Sequence, residues 1–176
     1  IPVLQDFLTG YKQGAAYIDP QTKVLVSFAG TFNDPLKGKE LTLAQYSQGA
    51  DIVMNVASNT GNGILEAAKD SKKYAIGVDI NQDDIYPGFI LTSMLKRVDV
   101  ATYNMIKQVY EGNFKGGEIV RMDASNGGVG LTDMATMKTA LKDKFPEDIL
   151  AKINELTEKI KKGEIKVESY PGFKVE

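Results

Sequence analysis

Two oppositely charged side chains stand where apolar runs end. Tyr74-Ala75-Ile76-Gly77-Val78 closes on Asp79, and Phe89 to Leu95 closes on Lys96-Arg97. In an open α/β sheet, ligands collect beyond the carboxyl ends of the strands, where side chains leave the core for a crevice. A carboxylate at such an exit accepts from ligand hydroxyls, and an ammonium donates to hydroxyl or ring oxygens. Taken alone, Asp79 reads equally well as a strand-end cap, and Lys96 reads more readily as a solvated surface lysine. Phe32 lies outside any periodic pattern, in the polar loop Gly30-Thr31-Phe32-Asn33-Asp34-Pro35. An aromatic in a loop is more often a lid on the core than a platform for a flat ligand, but a strand-end position narrows that preference. The fourth candidate is the turn Ser58-Asn59-Thr60-Gly61-Asn62-Gly63. Small residues at a strand-to-helix turn leave backbone N–H groups free to face a ligand. The turn has neither the Gly-Lys-Ser/Thr ending of a P-loop nor the full dinucleotide fingerprint, so hydroxyl or amide groups suit it better than phosphate.

Other chemistries are removed by composition. The chain has no Cys and no His, which excludes thiol nucleophiles, disulfides, imidazole bases and the usual zinc ligands. No cofactor or metal is indicated: Asp83-Asp84 reads as a solvated turn, because no third oxygen ligand is placed near it. With 21 basic and 23 acidic residues the net charge is -2, which makes no electrostatic case for nucleic acid or anionic membrane. No apolar run approaches the roughly 18 residues of a spanning helix. A length of 176 residues, 43% apolar and 25% charged, suggests one ordinary globular domain. The sequence opens on Ile1-Pro2 without Met, which reads as an internal cut in a longer protein.

The elements that must carry these residues follow from periodicity. Leu4, Phe7, Leu8, Tyr11, Ala15 and Ala16 predict a helix over Val3 to Tyr17, whose Gly10 and Gly14 would let one face approach a sheet. Lys23 to Ala29, Asp51 to Ala57, Tyr74 to Asp79 and Phe89 to Met94 read as strands. Helices are expected from Asp34-Pro35 to about Gly49, over Ile64 to Ser71, over Arg97 to Glu111 and over Pro146 to Lys162. Short strands are expected at Glu118 to Met122, Gly128 to Leu131 and Ile165 to Val167, with fraying from Ser169 to Glu176. The six methionines read mostly as core filler. Alternating strands and helices give a three-layer α/β/α class with a mostly parallel sheet.

Several ordered motifs together carry a resemblance. Gly30-Thr31-Phe32-Asn33-Asp34-Pro35-Leu36-Lys37-Gly38-Lys39-Glu40, Asn59-Thr60-Gly61-Asn62-Gly63, Gly77-Val78-Asp79, Leu91 to Asp99 and Gly127 to Leu131 resemble the basic membrane protein (BMP) family. These are purine-nucleoside-binding lipoproteins that serve ABC importers. The resemblance implies a type I periplasmic-binding-protein fold, with two α/β lobes that close on ligand like a clamp. It covers nearly the whole chain but matches the carboxyl-terminal half of the family, without the lipidated Cys or the first lobe. It implies that residues 1–88 belong to the C-terminal lobe, that 89–125 form a hinge crossing and a helix packed on the missing lobe, and that 126–176 return. Phe32 would then stack on the base, Asp79 and Lys96 would hydrogen-bond ribose hydroxyls, and the Ser58 turn would lie against the ligand. Ser58-Asn59 departs from the Gly-rich pair expected there. The implied partners are a purine nucleoside, the transporter permease and the N-terminal lobe, with a homo-oligomer through the crossover helix as another cover for its apolar face. The implied location is extracytoplasmic, with a lipid anchor to the membrane.

Two readings from other classes stand beside this one. An α/β enzyme acting on nucleosides or sugar phosphates would need a nucleophile and base at recognisable spacing, or a phosphate loop, and neither is present. An effector-sensing domain of a regulator would share the fold, but this sequence has no basic DNA-binding module.

Overall fold

The computed structural model describes residues 1–172. In order, the chain forms α1 (Pro2–Ile18), α2 (Pro35–Ser47), β1 (Ile52–Met54), α3 (Gly61–Ser71), β2 (Tyr74–Asp79) and β3 (Ile90–Lys96). It continues as α4 (Val98–Tyr110), β4 (Val129–Leu131), α5 (Ala135–Leu141) and α6 (Asp148–Lys161). Among the described residues the sheet has four strands in the order β1-β2-β3-β4, with β1, β2 and β3 parallel and β4 antiparallel to β3. Parallel pairing turns the carboxyl ends of β1, β2 and β3 toward one edge, which is where the candidate residues emerge.

Strand alternation divides the core in two. Ala75 of β2 and Ile90 of β3 pack with Tyr46, Ile64, Leu65, Ala67 and Ala68 of α2 and α3. Their neighbours Tyr74 and Leu91 face the other side and meet Met134, Met137, Leu141, Phe145, Leu150 and Ile153. Period-two side-chain direction is what allows one strand to serve both layers. The first layer is drawn close by glycine: a Cβ on Gly63 would stand 1.8 Å from the Pro35 carbonyl oxygen, so α3 can touch α2 only without one. Asp34 caps α2 as expected, accepting from the Lys37 N–H at 3.0 Å, with Pro35 in the first turn. Lys39 of α2 then reaches Glu66 and Asp70 of α3 at 2.8 and 2.6 Å.

Several sequence expectations are corrected. Lys23 to Ala29 forms no strand and joins no ladder. A cavity of about 500 Å³ lies among α1, this segment, α2 and β1, so the β-branched run has strand composition without a hydrogen-bonded neighbour. Glu118 to Met122 and Ile165 to Val167 are likewise outside the sheet. Ile119 and Val120 are exposed, and among the described residues no strand pairs with them. The glycines of α1 do not approach the sheet: a Cβ on Gly10 would come no nearer than 4.0 Å to Val167, and Gly14 faces open space. Ser169 and Tyr170 are tied down rather than frayed, by Arg121 to the Ser169 hydroxyl at 3.2 Å and by the Tyr170 N–H to Asp6 at 2.7 Å. The remaining tail, 173–176, lies outside the described residues. Among the methionines, Met134 and Met137 are core, whereas Met105 is exposed on α4.

Helix α4 buries none of its residues. Val98, Tyr103, Ile106, Val109 and Tyr110 are all more than half exposed, an apolar stripe standing off the rest of the fold. By contrast, Ile90–Lys96 pairs with β2 from Ala75 to Asp79, so this strand is part of the sheet and the chain leaves it only after Lys96.

Candidate ligand-binding rim

Asp79 ends β2 and Lys96 ends β3, one residue beyond its partner in the register Asp79↔Leu95. The ammonium of Lys96 lies 3.3 Å from Asp79 Oδ1, with the two side chains 55% and 42% exposed. An exposed ion pair of this kind contributes only about 0–1 kcal/mol to stability. Both groups keep unused donor and acceptor capacity toward solvent, as a hydroxyl-rich ligand would require. The backbone is more unusual than the pair. Asp79 has φ +69°, and the Ile80 N–H returns to the Val78 carbonyl at 2.8 Å, so Asp79 is the centre of a three-residue turn. Positive φ at a γ-turn centre is rare and strained, and such strain costs on the order of 1–3 kcal/mol unless the surroundings impose it.

Phe32 and Ser58 are brought together by Thr60, which the sequence reading passed over. Thr60 is fully buried. Its N–H donates to the Phe32 carbonyl at 3.0 Å. Its hydroxyl donates to the Thr31 carbonyl at 3.1 Å and accepts from the Asp34 N–H at 2.9 Å. The Asn59 side-chain amide adds a bond to Asn33 at 2.9 Å. This lacing binds the loop 31–34 to the turn Ser58–Thr60 that runs into α3, and leaves Phe32 47% exposed. Ser58 is exposed, with φ +50°, a second non-glycine residue held in the left-handed region. The Gly-rich pair expected at this position would meet that φ without strain.

The two pairs are joined through the β1 exit. Asn55, fully buried, accepts from the Ala57 N–H at 3.0 Å and reaches Gln82 beyond β2 at 3.4 Å. Asp83 corrects the sequence reading of a solvated turn: it is 2% exposed and accepts from the Ser93 hydroxyl at 2.6 Å, while Asp84 accepts from Thr136. Among the described residues no group of three or more acidic side chains could hold a metal ion. The rim is an open surface. The 500 Å³ cavity and a second, mostly apolar one of about 400 Å³ beneath α5 and α6 are not lined by Phe32, Ser58, Asp79 or Lys96.

Elsewhere, shifted pKa values mark structural contacts rather than chemistry. Burial, with a smaller contribution from Asp51, pushes the Tyr46 phenol up, and its hydroxyl donates to the Tyr74 carbonyl at 2.7 Å. The hydrogen bond from Lys39 holds the Asp70 carboxyl below the usual carboxylate value.

Residues 1–170 match the family profile described as ABC transporter substrate-binding protein, PnrA-like. The chain belongs to the basic membrane protein family. Similar members include a CD4+ T-cell-stimulating antigen of Listeria monocytogenes, 31% identical over 96% of this chain and 50% of its own length. An uncharacterized lipoprotein of Pyrococcus horikoshii is 34% identical over 94% of this chain and 49% of its own. An ABC transporter nucleoside-binding protein of Lactococcus lactis is 34% identical over 73% of this chain and 42% of its own. The chain therefore spans about half the length of the curated relatives it matches. Among solved structures, an ABC transporter solute-binding protein of Aeropyrum pernix aligns with a TM-score of 0.81 at 30% identity, over 97% of this chain and 55% of that one. A protein of Bacillus halodurans described as a transcriptional activator of the comK gene aligns with a TM-score of 0.78 at 23% identity, a likeness of fold alone. The α/β lobe with a mostly parallel sheet is thus the fold of one half of an ABC solute-binding protein, and the family is one of binding proteins rather than enzymes.

Proposed function

We propose that this chain supplies one jaw of a receptor for purine nucleosides, which binds its ligand between two lobes and delivers it unchanged to an ABC importer. The observation that carries this reading is the rim itself. An exposed carboxylate and ammonium face each other across adjacent parallel strand ends, and an exposed aromatic ring stands on the neighbouring loop. In this reading Asp79 and Lys96 take the ribose hydroxyls, Phe32 stacks on the base, and the turn at Ser58 lies against the ligand. Once the clamp closes, a ligand lacking the hydroxyls would leave these polar groups desolvated and unpaired, which is the source of selectivity.

In this reading the segment 89–125 carries the crossing to the other lobe, with β3 still paired in this sheet and α4 beyond it, and the chain returns from residue 126. The apolar stripe of α4 is the surface that the other lobe covers. No helix among the described residues is long and apolar enough to cross a membrane. The receptor as a whole works at the outer face of the membrane, as the lipoprotein names of relatives suggest.

The test is to incubate the receptor, this chain joined to its partner lobe, with inosine, guanosine and adenosine. Saturable calorimetric binding with recovery of intact nucleoside is expected. Released free base or sugar phosphate would replace the receptor reading with an enzymatic one. This chain alone should bind weakly, because one jaw covers one side of the ligand; a submicromolar dissociation constant, about -8 kcal/mol or better, would contradict that.

A further inference from the structure

Beneath the rim runs a set of buried polar side chains to which ligand contact gives no role. Asn55 and Ser93 are fully buried, Asp83 is 2% exposed and Gln82 9%. Buried polar groups are unfavourable unless bonded, and here each one is. The Ser93 hydroxyl donates to Asp83 Oδ1 at 2.6 Å and accepts from the Gln82 N–H at 3.0 Å. Gln82 Oε1 accepts from the Val78 N–H at 2.9 Å and from Asn55 Nδ2 at 3.4 Å. One continuous network thus reaches from the β1 exit, across the turn after β2, to the middle of β3.

Its point of application is Val78, the residue before Asp79. The Val78 N–H is held by Gln82, and the Val78 carbonyl is held by the Ile80 N–H. Asp79 is therefore fixed from its preceding residue while its own φ stays at +69°. Gly77 makes room for the network: a Cβ there would fall 2.4 Å from the Ser93 hydroxyl oxygen and 3.0 Å from Gln82 Cβ.

We propose that Asn55, Gln82, Asp83 and Ser93 are positioning residues, which hold Asp79 in its strained turn with the carboxylate toward Lys96 before any ligand arrives. The consequence for affinity rests on the nucleoside reading: a preset carboxylate has less conformational freedom to lose on binding. The positioning itself does not depend on that reading.

Amide hydrogen exchange on this chain tests it, with Val78 and Ile80 compared to Tyr74, whose N–H bonds the Asp51 carbonyl at the far end of β2. Gln82→Met keeps side-chain length but removes the acceptor, and should speed exchange at Val78 and Ile80 about tenfold relative to Tyr74. Asp83→Asn keeps an acceptor for Ser93 and should leave all three within about twofold. If Gln82→Met does not fold, Ser93→Ala removes a single oxygen and should show the same local pattern. Equal acceleration at all three amides, or none at Val78 and Ile80, would overturn the proposal. In the two-lobed receptor, Gln82→Met should weaken inosine binding about tenfold. Faster exchange with unchanged inosine affinity would refute the consequence for affinity, while the exchange pattern alone decides the positioning. Failure of wild-type receptor to bind inosine would instead defeat the nucleoside reading and leave the exchange result standing.

Discussion

Replacing Asp79 should separate binding from folding, and two variants make the separation quantitative. If the carboxylate accepts from two ribose hydroxyls, Asp79→Ala removes two hydrogen bonds to a charged group, each contributing about 1.5–3 kcal/mol. The sum of about 3–6 kcal/mol corresponds to a loss of roughly 10²–10⁴-fold in nucleoside affinity. The folded chain loses far less. The partner Lys96 is exposed, so the pair accounts for at most about 1 kcal/mol. Alanine tolerates φ +69° less well than aspartate, which adds about 1 kcal/mol of strain. The resulting shift in melting temperature is a few degrees, at about 2–4 °C per kcal/mol for a chain of this size. Asp79→Asn removes the charge but keeps a residue that accepts the left-handed backbone. It should therefore melt like wild type and still bind roughly 10–100-fold more weakly. Inosine titration calorimetry on the two-lobed receptor, beside thermal unfolding of each variant, reads both quantities. An Asp79→Asn variant with wild-type affinity would refute the ribose assignment, whatever the behaviour of Asp79→Ala.

Three further outcomes are expected. Thr60→Val keeps shape but leaves the Thr31 carbonyl and the Asp34 N–H without their hydroxyl partner; urea unfolding should show a loss of about 1–3 kcal/mol, and a neutral result would mean the loop 31–34 is held by other contacts. The Asp70 carboxyl is depressed by Lys39. Its contribution is thus fully present above its ordinary value of 3.8 and lost as pH falls through the lower folded value; the urea midpoints of wild type and Asp70→Asn should differ at pH 7 and converge well below pH 3.8, and a gap persisting at the acid end would exclude titration of this group as the cause. Ile106→Lys on exposed α4 should change the stability of this chain by less than about 0.5 kcal/mol. In the two-lobed protein the same change should cost at least about 2 kcal/mol by burying a charge; equal small effects in both would remove α4 from the lobe interface, and concentration-dependent dimers of this chain lost in the variant would assign the stripe to a second copy.

What was legible in the sequence was local. Tyr74–Asp79 is the same strand in both readings, because a short unbroken apolar run bounded by polar residues needs no distant partner to be recognised. Asp34-Pro35 announced the start of α2 through capping chemistry contained in four residues. Helix α5 was missed although Met134, Met137 and Leu141 recur at helical spacing, since a seven-residue helix offers too few turns for the period to stand out. Lys23 to Ala29 shows the opposite failure. Its β-branched residues suit a strand, but a strand exists only where another ladder stands in register beside it, and here a cavity intervenes.

The candidate site divides along the same line. The sequence alone determined the family, through motifs kept in order along the chain, and placed Phe32, Ser58, Asp79 and Lys96 at the ends of apolar runs. Only the tertiary structure decided that Lys96 faces Asp79 at 3.3 Å, because that distance follows from the register of two parallel strands joined by a ten-residue connection, Ile80 to Phe89. It likewise decided that Asp83 is buried rather than solvated, and that Thr60 and Gln82 fix loops far from them in sequence. Residue type sets what a side chain can do; which partners come within hydrogen-bonding distance is set by packing between segments that the sequence leaves apart.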